Sequence, residues 1–254
     1  MSEGENPSSY PRTSTTSLGA RVYGVIRRPR ATLSTIARGP SWLPVLAATT
    51  TVMLLCGLVF LRTEVGQQAL VDQWERTATA FGQPVDDAAY AQMELTARSA
   101  GFDAAYAAVT AVTGGPVLVF ALSALLFLVF KRRRRAVSST SGPSFVQIVA
   151  VVSYASVILA LRQVVATPID YARESIGSPT TLVQLFSMLD ETSLLARFLG
   201  IIDVFVIWWI VVLAIGLSVL YGRSTRSVAF VLTGAYVVLA LLAALAMAVS
   251  GGTA

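Results

Sequence analysis

Five windows of this sequence run to about 20 residues with scarcely a charge, the length a helix needs to cross the hydrocarbon of a bilayer. They are WLPVLAATTTVMLLCGLVFL (42–61), AVTAVTGGPVLVFALSALLFLVF (108–130), FVQIVAVVSYASVILALRQVVA (145–166), an unbroken run over 199–221, and VAFVLTGAYVVLALLAALAMAVS (228–250). Lipid offers no hydrogen bonds, so each window satisfies its backbone internally and reads as a helix rather than an open strand. The chain of 254 residues is 55% hydrophobic and 13% charged, more apolar than a soluble core of that size requires. Its mean hydropathy is +0.68. The predicted class is all-α, a polytopic membrane protein with five transmembrane helices.

The charges between the windows predict orientation. Segment 21–41 carries five arginines and no acid, KRRRR stands at 131–135, and Arg223 and Arg226 lie between the last two windows. The alternate connections differ. Loop 62–107 has three arginines against seven acids, and loop 167–198 sets Arg173 and Arg197 against Asp170, Glu174, Asp190 and Glu191. Basic connections face the cytoplasm, so the pattern predicts an N-in, C-out topology in a cell membrane. The net charge of +5 is accounted for by this rule, and nucleic acid is not an expected partner.

The membrane domain is expected over 42–250, preceded by a disordered cytoplasmic tail over 1–17, rich in Ser, Thr, Pro and Gly. Residues 18–41 read as two short basic helices split at Pro29, with Leu18, Val22, Val25 and Ile26 on one face and Leu33, Ile36 and Ala37 on another. Such faces predict helices lying on an anionic membrane surface, with membrane lipids as partners of Arg27, Arg28, Arg30 and Arg38. Loop 62–107 is expected to hold helices on the outer face, one presenting Val71, Trp74, Ala78 and Phe81. Gly114, Gly115 and Pro116 predict a kink or break in the second window. Small-residue ridges, Ala214, Ser218 and Gly222 and then Ala240, Ala244 and Ala248, serve either the bundle core or a homo-oligomer.

Catalytic chemistry is not visible. The sequence has no histidine, which removes the commonest general base and zinc ligand, and no GxSxG, phosphate loop, HExxH or CxxC. Cys56 is single and lies in an apolar run, so it reads as packing. Asp86, Asp87 and Glu94 lack calcium-loop spacing and read as an acidic helix start plus a solvated residue. No catalytic, cofactor-binding or metal-binding residue is therefore expected, nor any cofactor.

One acid is out of place. Asp203 stands third in IIDVFVIWWIVVLAIGLSVLYG, inside the fourth window. The third window ends on the same predicted side, with Arg162 about one turn from its end. Three roles remain open for Asp203: pairing with Arg162, exposure to headgroup water, or a proton or ion site.

Three stretches carry a resemblance. RRPRATLSTIARGPSWLPVL, SGPSFVQIVAVVSYAS with Phe145 and Tyr154, and the fourth window with Asp203, Phe205, Trp208 and Gly216 occur in the order seen in the Yip family. The chain resembles the bacterial branch of these Ypt/Rab-interacting membrane proteins over about residues 20–250. Ile158 stands near the position where relatives often carry a proline. The arginine-over-lysine bias, a single lysine against eighteen arginines, points to a prokaryotic source. The resemblance implies five helices, a cytoplasmic N-terminus and a non-enzymatic adaptor or membrane organiser; eukaryotic relatives are linked to Rab-type GTPases and vesicle traffic. It also implies a protein partner at the basic face. A small-solute or ion transporter is the alternative, and would need polar residues such as Gln147, Tyr154, Arg162 and Asp203 to line a path. A lipid-modifying enzyme comes last, because the inner loops carry no acid.

Overall fold

The structure of the protein, a computed structural model, describes residues 17–134, 142–177, 179–185 and 194–251. The expected tail up to residue 16 and Arg135 of the basic run lie outside the described residues.

Ser17 opens α1 (Leu18–Arg27) by accepting the Ala20 N–H at 3.3 Å, and Pro29 opens α2 (Pro29–Arg38), where its missing N–H costs nothing. The first apolar helix is α3 (Leu43–Leu61). Thr63 and Asp86 cap α4 (Glu64–Ala80) and α5 (Asp87–Ala97). Next, α6 (Phe102–Val112) and α7 (Leu118–Arg134) form one rod, joined by a π-helical turn over Thr113–Val117 that absorbs Pro116. A second rod consists of α8 (Phe145–Ala155) and α9 (Val157–Ala172), interrupted at Ser156. Ser144 starts it with a capping box to Gln147. The short α10 (Leu194–Ile201) leads to α11 (Val204–Tyr221), which Gly222 ends at φ 61°, and α12 (Thr225–Gly251) completes the bundle.

Among the described residues five helices are long and apolar enough to span a bilayer: Leu43–Leu61, Phe102–Val129, Phe145–Ala172, Val204–Tyr221 and Thr225–Val249. The number agrees with the sequence reading, but the limits move. The second helix begins at Phe102 rather than near 108, and the third continues to Ala172 rather than 166. The fourth starts at Val204 rather than 199, because the backbone leaves helical geometry at Asp203. The interruption at Ser156 needs no proline: its Oγ bonds back to the Val152 carbonyl at 3.0 Å, a contact that bends helices.

The central post is α8, buried from Ile148 through Ala155, with α2, α7 and α11 around it. A helix apolar on all sides is a helix enclosed on all sides. A Cβ on Gly216 would overlap Val151 Cγ1 and stand 3.3 Å from Leu33 Cδ1, so glycine sets how closely α11 meets α8 and α2.

The amphipathic α1 and α2 differ from expectation. Val25, Leu33 and Ile36 are buried in the same core as Val151, Leu213 and Leu217. The apolar stripe that reads as a lipid-facing surface is covered by the bundle itself. At the opposite end α4 lies over α3 and α6, where Phe60, Leu61, Ala69, Leu70 and Ala107 form a second core with Trp74, Phe102 and Tyr106. Val71 is buried as its spacing predicts, whereas Phe81 is 49% exposed. Of the small-residue ridges, Ala214, Ser218, Ala240 and Ala244 are buried within the chain, so these positions serve the bundle core.

Candidate functional site

The break between α10 and α11 turns Asp203 into the helix cap. Its Oδ1 accepts the N–H groups of Phe205 and Val206 at 2.8 and 3.3 Å. Its Oδ2 accepts Arg162 Nε and Thr180 Oγ1, each at 2.6 Å. The Asp203 N–H donates to Tyr236 Oη at 3.2 Å, and that hydroxyl donates to the Ile201 carbonyl at 2.7 Å. Two backbone bonds complete the arrangement, Leu182 N–H to Ile202 O at 2.8 Å and Val204 N–H to Thr180 O at 3.1 Å. Three stretches of chain, α9, the 179–182 loop and the start of α11, are thus tied together with α12 at one residue.

Asp203 is 3% exposed, which removes the reading of a carboxylate in headgroup water. Its pairing with Arg162 is the one the sequence suggested. A carboxylate has about four acceptor positions, and here four donors occupy them. A carboxylate so engaged is a clamp rather than a base, because a proton or ion would have to displace a bond already made.

Beside this knot lies a cavity of about 370 Å³ between the α6 half of the second span and the α9 half of the third. Both halves pack on α3, and both are bounded by a break: α6 ends at the π-turn that holds Pro116, and α9 begins after the interruption at Ser156. Met53, Phe60, Leu118, Leu159 and Val206 supply apolar walls. Gln73, Thr110, Arg162, Gln163, Thr167 and Asp170 supply polar ones. Asp203 does not line it. Nor do Val149, Val152, Ile158 and Leu213, which are buried in the bundle core.

Residues 23–247, most of the chain, match the Yip1 domain. The chain belongs to the Yip1 domain family. No curated protein and no solved structure shows significant similarity to it. In this Yip1-domain chain the residues that carried the resemblance have identifiable work. Asp203 is the clamp, Gly216 sets the α11–α8 approach, and Phe205 and Trp208 pack on the core with ring centroids 6.1 Å apart. Tyr154 is 1% exposed in the post. Gln147 donates to the Ala37 carbonyl at 2.8 Å and so fastens the end of α2 to α8.

The remaining sequence candidates fall apart spatially. Asp86 caps α5, accepting the Ala89 N–H at 2.7 Å, and Glu94 pairs with Arg98 at 2.6 Å. No group of three or more metal-ligating side chains occurs among the described residues. Cys56 is half-buried and free. Sequence reasoning missed Thr180, Tyr236 and Asp170. Tyr236 had a signal, a hydroxyl within an otherwise apolar window. Asp170 has none, because the sequence places it in a loop, whereas the third span continues past Pro168 to Ala172.

Proposed function

We propose that this Yip1-domain protein is a non-catalytic membrane adaptor or organiser, oriented N-in and C-out, whose basic end meets anionic headgroups and a protein partner. The observation that supports this most is the convergence of arginines from distant parts of the sequence. Arg27, Arg28, Arg30 and Arg38 of the α1–α2 pair are exposed, as are Arg223 and Arg226 of the α11–α12 turn. Arg30 and Arg223 line one shallow depression, together with Ser34. Because the apolar faces of α1 and α2 are buried in the bundle, what they offer outward is charge and hydroxyl groups. Such a face attracts anionic lipid by roughly 1 kcal/mol per basic residue at the surface, and it presents bidentate guanidinium groups to an acidic partner.

The test is site-specific photo-crosslinking in native membranes from Ser34, beside Arg30 and Arg223, in the unaltered chain and in the double variant Arg30→Glu, Arg223→Glu. A discrete protein adduct that the charge reversal abolishes supports the adaptor. Unchanged adducts would place the partner elsewhere, and no adduct at all, with a native small molecule retained by the purified protein, favours the transporter. Orientation is tested separately. With Cys56 replaced by Ser, a single cysteine at Ser34 should be shielded from an impermeant thiol reagent in intact cells, and one at Asp87 should label.

A further inference from the structure

The cavity between α6 and α9 is lined by a buried carboxylate oxygen that no protein group hydrogen-bonds. Asp170 is 9% exposed and lines the cavity, and its Oδ1 has no hydrogen-bond partner. The Gly177 backbone supplies a hydrogen bond to the carboxyl group. The arginines whose charge reaches it are Arg162 and Arg173. Arg162 is committed through Nε to Asp203, whose negative charge offsets it. Arg173 is exposed, where water screens it. Both arginines act on Asp170 through their charge, and its Oδ1 still has no hydrogen bond.

An unpartnered buried carboxylate oxygen is costly, and a cation that donates hydrogen bonds removes that cost. The remaining lining describes the rest of such a ligand. Thr110, Gln163 and Thr167 offer neutral hydrogen-bonding groups at the polar wall, while Met53, Phe60, Leu118, Leu159 and Val206 form an apolar one. A volume of about 370 Å³ is in the range of small-molecule sites. We propose that this cavity binds the ammonium head of an amphipathic amine, with Asp170 Oδ1 as its charge partner and the apolar wall against its hydrocarbon.

The same head chemistry comes from two sources, an aminophospholipid of the surrounding bilayer or a free alkyl amine, and the test separates them. The full-length protein is purified in detergent, and binding of phosphatidylethanolamine, phosphatidylglycerol and dodecylamine is followed by native mass spectrometry and by thermal shift. For phosphatidylethanolamine, dodecylamine or both, Asp170→Asn should weaken retention at least fivefold and abolish the thermal shift. Phosphatidylglycerol, which lacks the ammonium, should show no dependence on Asp170. Loss confined to dodecylamine assigns a free amine, and loss that includes phosphatidylethanolamine assigns a lipid.

Thr110→Phe is the second variant. Thr110 is exposed on the cavity wall, so the larger ring fills space without entering the core, and it should block binding while Asp170 stays intact. Equal retention of both amines by Asp170→Asn and the unaltered protein overturns the proposal. So does phosphatidylglycerol binding that depends on Asp170, or a folded Thr110→Phe protein that binds normally. The site stands apart from the basic face, so its failure leaves the adaptor reading intact.

Discussion

The two ends of the bundle are closed by different means. At the end carrying α1 and α2, closure is dry: Val25, Leu33 and Ile36 enter a core of Val151, Leu213 and Leu217, and Gly216 permits the close approach. At the end carrying α4 and α5, a polar knot is added to the apolar core under α4: Asp203 gathers α9, the 179–182 loop, α11 and α12, and a cavity with polar and apolar walls lies beside it. Apolar packing is tolerant of chemistry and intolerant of volume. A buried ionic cap behaves the other way, because losing one partner strands the rest. Substitutions at the two ends should therefore differ in what rescues them.

The largest effect is expected at the polar end. Asp203→Ala strands Arg162 and uncaps α11 together, and should cost about 3–5 kcal/mol, the range for breaking a buried pair. Thermal unfolding in detergent micelles measures it. Asp203→Asn keeps the cap, since asparagine caps as well as aspartate, and should lose clearly less. A double-mutant cycle with Arg162→Gln should give a coupling above about 1 kcal/mol. If the two losses simply add, the clamp is only a cap, and the contrast between the ends weakens.

The dry end gives the second test, and there the sign is informative. Helix propensity alone predicts that Gly216→Ala gains about 1 kcal/mol. The overlap with Val151 predicts a loss of about 1–3 kcal/mol instead. Adding Val151→Ala should restore part of that loss, although the same change alone destabilises by removing buried methyl groups. A gain from Gly216→Ala would show that α11 has room to move, contrary to the packing described. Gln147→Ala tests a polar bond at this end. It removes the Ser144 capping box and the bond to Ala37, and should cost about 1–2 kcal/mol. Hydrogen exchange should show α2 loosening before the rest of the bundle.

The contrast also explains what was legible in the sequence. Five spans follow from window length, since lipid allows no other way to satisfy a backbone. The Arg162–Asp203 pair was legible because topology brings two isolated charges to one depth. Thr180 and Asp170 were not, because both belong to segments whose course depends on tertiary contacts. The first lies in a loop held by a bridge to Asp203, the second in helix extending past Pro168. Amphipathicity in α1 and α2 predicts helices lying on the membrane surface, and in the structure Val25, Leu33 and Ile36 of that apolar stripe lie in the bundle core. Periodicity states that a face is apolar, not whether lipid or protein lies against it.

The smallest effect is expected where α5 meets α4, outside the spans. Gln68 Nε2 donates to Tyr90 Oη at 2.6 Å and to Asp72 Oδ1 at 3.0 Å, and Tyr90 donates to Asp72 at 3.0 Å. Tyr90→Phe removes a bond to a carboxylate, but the group is only half-buried and water screens it, so the cost should be about 0.5–1 kcal/mol. The loss should be confined to α5, read as faster hydrogen exchange there with an unchanged rate in α8. The hydrogen bond to Asp72 comes first among the causes that push the Tyr90 hydroxyl above the ordinary tyrosine range, followed by burial. The folded protein thus holds this proton more tightly than the unfolded chain does. The stabilisation is complete below pH about 10, the unfolded value, and is lost as pH rises through the folded value. Tyr90→Phe should abolish that alkaline loosening of α5. If α5 loosens identically with phenylalanine in place, the pH response belongs to another group, and the polar end is held by the Asp203 clamp without help from α5.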